Sequence, residues 1–122
     1  MDITPVTPKD KLVITHYGDG GFVISGTAHK GNILIAGNSV APWNAATLAD
    51  ATPESLAPLI AHPPEILLLG MGPKFMPVPQ ALRAWCRERN IAVDGMDTGA
   101  ACRTYDVLLN EGRIVAAALI AV

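Results

Sequence analysis

Charge and aromatic side chains are both scarce in this chain. Of its 122 residues only 16% are Asp, Glu, Lys or Arg, and only 5% are Phe, Trp or Tyr. Soluble domains carry roughly 25% charge. With so few aromatics, Ala, Val, Ile and Leu must fill the core. With so little charge, one protomer hides more surface than it can cover alone, unless the excess lies in an Ala-rich, well-buried sheet. A homo-oligomer or an unknown protein partner is the other way to cover it.

The basic residues are scattered and the formal net charge is −2. That argues against a nucleic-acid footprint and against a polybasic membrane patch. The longest C-terminal apolar run, Ile114 to Val122, is about half of what spans a bilayer, so no membrane span is expected. Met1-Asp2 opens no basic-then-apolar signal segment. Cys86 and Cys102 stand sixteen residues apart without a CxxC pattern. They make neither a disulfide framework nor a zinc site, and they read as buried thiols on helix faces. The expected compartment is a reducing cytoplasm.

Catalytic patterns are missing too. Ser25, Ser39 and Ser55 sit in no GxSxG elbow, and His16, His29 and His62 fall in separate segments without metal-ligand spacing. Asp94 and Asp97 are loop carboxylates of the kind that cap and turn. No catalytic residue, metal ligand or cofactor is assigned, and the balance favours a protein that is not an enzyme.

What is present is an ordered series of apolar segments. Residues 1–11 read as a loose N-terminal arm and residues 12–122 as a single α/β domain. Strands are predicted at Leu12–Tyr17, Phe22–Ser25 and Ile33–Ala36, joined by Gly-rich turns into an antiparallel meander. Thr52-Pro53-Glu54 reads as the start of a short helix, with Leu56, Leu59 and Ile60 as its buried stripe. Glu65–Leu69 lacks alternation, as befits a strand buried on both faces. A helix follows Pro79, with Leu82, Trp85, Cys86 and Arg89 at helical spacing. Ile91–Val93 is a short strand, residues 100–109 a helix, and Arg113–Val122 an apolar, central last strand.

Several of these stretches resemble a known family. They are Phe22-Val23-Ile24-Ser25-Gly26 with Gly31-Asn32-Ile33-Leu34-Ile35, and Leu67-Leu68-Leu69-Gly70-Met71-Gly72. The most specific is Met96-Asp97-Thr98-Gly99-Ala100-Ala101-Cys102-Arg103-Thr104-Tyr105-Asp106, running on to Leu109 and then to Glu111-Gly112-Arg113. Over residues 12–120 the chain is similar to a small single-domain family of unknown biochemical function. That family includes a mitochondrial respiratory complex I assembly factor and an adipogenesis-associated protein. The resemblance implies a three-layer α/β fold: a mixed central sheet with flanking helices and an antiparallel β-meander to one side. It implies no established enzyme activity. Asp106 stands where the family commonly has Asn, and Met71 where relatives often carry Thr between the two glycines.

Two surfaces follow as candidates. The carboxyl ends of parallel strands are where α/β sheets usually hold ligands. Gly70, Gly72 and Lys74 after one strand, with Thr98, Gly99, Arg103 and Thr104 after the next, would form a crevice for a small anion. Thr98 reads as the N-cap of that helix, and Arg103 either meets the anion or pairs with Asp106 one turn on. Pro42-Trp43, in an extended loop, is the candidate protein interface unless Trp43 belongs to the core. The first reading is a non-enzymatic accessory or assembly-type protein; the alternative is a small anionic-ligand binder or unrecognised enzyme using the crevice.

Overall fold

A computed structural model describes residues 11–122, so the arm expected over residues 1–11 falls almost wholly outside the described residues. Two sheets carry the architecture. Strands β1 (Ile14–Gly18), β2 (Gly21–Ile24) and β3 (Thr27–Lys30) form a small antiparallel sheet in the order β1-β2-β3. Strands β4 (Ile33–Ala36), β5 (Ser39–Pro42), β6 (Ile66–Gly70), β7 (Ala92–Met96) and β8 (Val115–Leu119) form a five-stranded mixed sheet in the order β5-β4-β8-β6-β7. Helices α1 (Ala57–Ile60), α2 (Gln80–Glu88) and α3 (Thr98–Asn110) join its strands.

The last strand is central, as its unbroken apolar run predicts. β8 pairs antiparallel with β4 and parallel with β6, and all five of its residues are buried. Alternation decides which face each residue serves. Ala116 and Ala118 join Leu34, Leu67 and Leu69 on the face covered by Trp43, Leu56, Leu82 and Cys86. Val115, Ala117 and Leu119 join Ile33, Ile35 and Leu68 on the face covered by α3 and the small sheet. The result is three layers, with α1 and α2 on one side and α3 with the meander on the other. The strands β6 and β7 are parallel neighbours, as a helix crossover requires.

Four local expectations are corrected. The meander does not include β4, which leaves for the central sheet. In its place Thr27–Lys30, expected to begin a turn, forms β3. Ser25 and Gly26 both take positive φ (44° and 89°), the two-residue hairpin that returns the chain at once. Residues 53–56 are turns and α1 begins only at Ala57; Thr52 and Ser55 exchange hydrogen bonds instead of capping the helix. β7 extends through Asp94 and Gly95, read as loop from their turn propensity. A side chain at Gly95 would run into the Met71 and Val78 side chains, so a glycine is needed there. Finally, Asp97, not Thr98, caps α3, accepting a 2.9 Å hydrogen bond from Ala100 N–H.

Ala117 is fully buried in the middle of β8. An unpaired carboxylate there would cost several kcal/mol, a large part of the roughly 5–15 kcal/mol that holds a domain together. Ala117→Asp is therefore expected to abolish the cooperative melting transition seen by circular dichroism. A soluble variant that melts like the wild type would contradict the central position of this strand.

Candidate functional site

The carboxyl ends of β6 and β7 meet as expected, but the crevice between them is filled. Gly70 leaves β6 beneath Thr98: a Cβ at Gly70 would lie 2.7 Å from Leu119 Cδ2 and 3.1 Å from Thr98 Oγ1. Gly72 N–H donates to Thr98 Oγ1 (2.9 Å), Thr98 N–H donates to Gly72 O (2.9 Å), and Thr98 Oγ1–H donates to Ile120 O (2.7 Å). Thr98 is fully buried at this junction. Met71 N–H donates to Met96 O. The amides of Met71 and Gly72 are thus spent on the protein itself, and Pro73 has none to give. At the mouth of α3, Ala100 and Ala101 donate to Asp97, while Gly99 lies directly under the Tyr17 ring.

Arg103 and Thr104 lie one turn further on, and Arg103 turns the other way. Its Nη1 donates to Tyr17 Oη at 2.9 Å. Asp106 accepts Ile14 N–H at 2.9 Å, and no ion pair joins it to Arg103 among the described residues. The i,i+3 pair expected within α3 is replaced by two tethers from α3 to β1. Together Arg103, Asp106, Cys102, His16 and Tyr17 edge a shallow depression of about 430 Å³ that includes neither Gly70 nor Gly72. Of the candidate residues, the structure therefore brings Gly70, Gly72 and Thr98 together, sets Gly99 and Arg103 against Tyr17, and leaves Thr104 half-buried.

The thiols are buried and unpaired with each other. Burial raises both; Cys102 is pushed up to about 12, with Asp106 adding to the effect and Arg103 offsetting it in part. Neither is a nucleophile near neutral pH. The Tyr105 hydroxyl is also buried, with Gly37 near it but outside hydrogen-bond geometry. Desolvation holds its pKa well above the ordinary tyrosine range. No group of three His, Cys, Asp or Glu positioned to hold a metal occurs among the described residues, and no described helix is long and apolar enough to cross a membrane.

The candidate interface at Pro42-Trp43 is corrected. Trp43 is only 5% exposed; it fills the core beneath residues 44–56, and its Nε1–H donates to Ser55 Oγ. Pro42 is exposed, at the end of the edge strand β5. The exposed apolar residues lie instead in the loop after Gly72, where Phe75 is 63% and Met76 47% exposed beside exposed Lys74. Sequence reasoning passed over this pair, although Pro73, Pro77 and Pro79 bracket it and bar regular structure. A cleft at the far end of the sheet was also missed, because its walls come from five separate segments.

Comparison with known proteins places the chain among relatives. A family described as protein of unknown function (DUF498/DUF598) matches residues 14–120. An uncharacterised protein of Rhodobacter capsulatus is 36% identical over 111 residues, 89% of this chain and 84% of that protein. NADH dehydrogenase (ubiquinone) 1 alpha subcomplex assembly factor 3 of Bos taurus is 38% identical over 112 residues, 89% of this chain; the chain spans 60% of that factor's length. The crystal structure of an outer membrane protein from Bartonella henselae matches with a TM-score of 0.84 at 34% identity, covering 91% of this chain and 95% of that one. A Mth938-like domain of Bordetella pertussis matches at 0.79 and 27% identity, covering 99% and 92%.

Two predictions follow from this chemistry. Thiol probes at pH 8 are expected to label Cys86 and Cys102 in the native protein on the order of a hundredfold more slowly than in denaturant; fast native labelling of either would overturn their burial. The second concerns Asp106, whose carboxyl is held above the usual carboxylate range by burial, partly opposed by Ile14 N–H. A carboxyl with a higher pKa folded than unfolded costs the native state stability as pH rises from about 4 through the folded value. Asp106→Asn keeps an oxygen for Ile14 N–H. It is expected to raise the melting temperature at pH 7 and to bring no gain at pH 3, where the wild-type carboxyl is protonated. An equal gain at both pH values, or a loss at pH 7, would remove desolvation as the cause.

Proposed function

The chain belongs to the DUF498/DUF598 family, and on that basis we propose that it is a non-enzymatic accessory protein of the assembly-factor kind, which works by holding another protein through the loop between β6 and α2. The observation that carries this is the pair Phe75 and Met76, 63% and 47% exposed in a domain that otherwise buries its large apolar side chains well. Aromatic and Met side chains are enriched at the cores of protein interfaces. The flanking Pro73, Pro77 and Pro79 restrict the loop before it binds, which lowers the entropy lost on association. Met71 Sδ accepts Met76 N–H at 3.3 Å and Val78 is buried, so the loop is anchored at both ends.

The similarity to complex I assembly factor 3 supports the kind of work: holding a subunit before it is built into a respiratory complex. The free cysteines suit a reducing compartment, and we place the protein in the cytoplasm. The anionic-ligand alternative is weaker, because the Gly72 amide it would use is given to Thr98.

The double variant Phe75→Ser, Met76→Ser tests this reading. Both side chains are surface groups, so the melting temperature should stay within about 2 °C of the wild type. A photoreactive side chain at position 74 should crosslink to a defined partner in cells, and the double variant should lose that crosslink. Crosslinking at the wild-type level in the double variant would refute the reading.

A further inference from the structure

A second recess lies at the other end of the central sheet. It is a cleft of about 320 Å³ at the amino ends of β6 and β8, beside the turn that joins β4 to β5. Its floor is aliphatic: Leu34 and Leu59 come from one core and Leu109 and Val115 from the other, so it reaches both faces of the sheet. Its rim carries Lys11, His62 and Arg113, and no carboxylate lines it among the described residues. Glu65 stands just outside. It accepts Ile114 N–H at 2.9 Å and holds Arg113 Nε at 3.6 Å. An exposed pair of this kind is weak, and a guanidinium has five N–H donors, so Arg113 keeps donors to spare.

We infer that this cleft binds a small amphipathic carboxylate, an aliphatic acid of about ten non-hydrogen atoms, with its chain on the leucine floor and its head group at Arg113, His62 and Lys11. The size follows from the volume, at roughly 30 Å³ for each water-sized group. The class follows from the lining: ligand pockets are mostly apolar with a few polar groups that fix orientation, and here every charged group is a cation. A plain inorganic anion would leave the floor unused, and a neutral chain would leave the rim unused. The cleft and the Phe75–Met76 loop lie at opposite ends of β6, so this inference stands or falls apart from the protein-contact reading.

Titration of the full chain with sodium octanoate, followed by amide chemical shifts, tests it. Saturable shifts are expected at Gly37–Ser39, at His62 and from Leu109 to Val115. Octan-1-ol should bind at least about fivefold more weakly, and acetate and phosphate at the same ionic strength should not move these amides, since each lacks one half of the recognition. Arg113→Gln should weaken octanoate about fivefold. Because that change also removes the contact with Glu65, Lys11→Gln serves as a second variant outside that pair and should weaken binding in the same direction. The inference is overturned if octanol binds as well as octanoate, if phosphate alone shifts the same amides, if octanoate shifts map to Phe75 and Met76, or if neither variant alters its affinity.

Discussion

The fold hangs on one buried hydroxyl. Thr98 Oγ1 takes a hydrogen bond from the turn that leaves β6 and gives one to the segment that leaves β8, while the Thr98 amide returns a bond to Gly72. Three chain segments far apart in sequence therefore share one side chain that is fully buried. A buried polar group without partners is costly, so this junction is stable only when all three segments are in place together. It sets where α3 begins and how closely the Gly70–Gly72 turn approaches it. Gly70 is required because a methyl there would push into Leu119 and Thr98. Ile120 N–H to Gly70 O, Ala121 N–H to Asn32 Oδ1 and Gly20 N–H to Val122 O extend the same lock to both sheets.

The alanines of β8 are the second constraint. Ala116 and Ala118 face one core, Ala117 the other, and all are fully buried. Small residues at the centre of the sheet leave room for bulk to come from outside it: Trp43, Leu56 and Leu82 on one side, Tyr105, Phe22 and Ile24 on the other. The composition makes sense in these terms. A chain poor in aromatics and charge fills two thin cores with aliphatics around an alanine-rich strand, and the low charge needs no partner to explain it.

Strands and helices with strong apolar patterns were legible from the residues: Ile66–Gly70, Val115–Leu119 and the Leu82/Cys86 stripe of α2 all lie where their periodicity puts them. The failures share a cause. Thr27–Lys30 has neither alternation nor a buried face, so only the backbone turn at Ser25-Gly26 makes it a strand. Asp94-Gly95 reads as a turn locally and is held extended by pairing with β6. Asp97 and Thr98 are both good caps, and what separates them is the demand of Gly72 and Ile120 for a buried hydroxyl, which no local pattern encodes. For the site, the sequence could place the two strand exits side by side. It could not tell that the gap between them is filled, nor that Arg103 answers to Tyr17.

That filling reshapes the usual logic of an open α/β sheet. The loops after β6 and β7 lead to helices on opposite faces, α2 and α3, and a ligand normally sits in the crevice where such loops part. Here Met71 packs over Gly95, Thr98 plugs the gap below it, and the chain after β8 closes the top. The crevice is spent on stability. What the switch point still does is project the loop that follows it: with its base fixed by Met71 and Val78, the segment from Pro73 to Pro77 can only stand out from the surface, carrying Lys74, Phe75 and Met76. The same topology that builds a pocket in other sheets thus builds a protrusion in this one, and a protrusion tipped with Phe and Met is suited to a protein surface rather than to a small substrate.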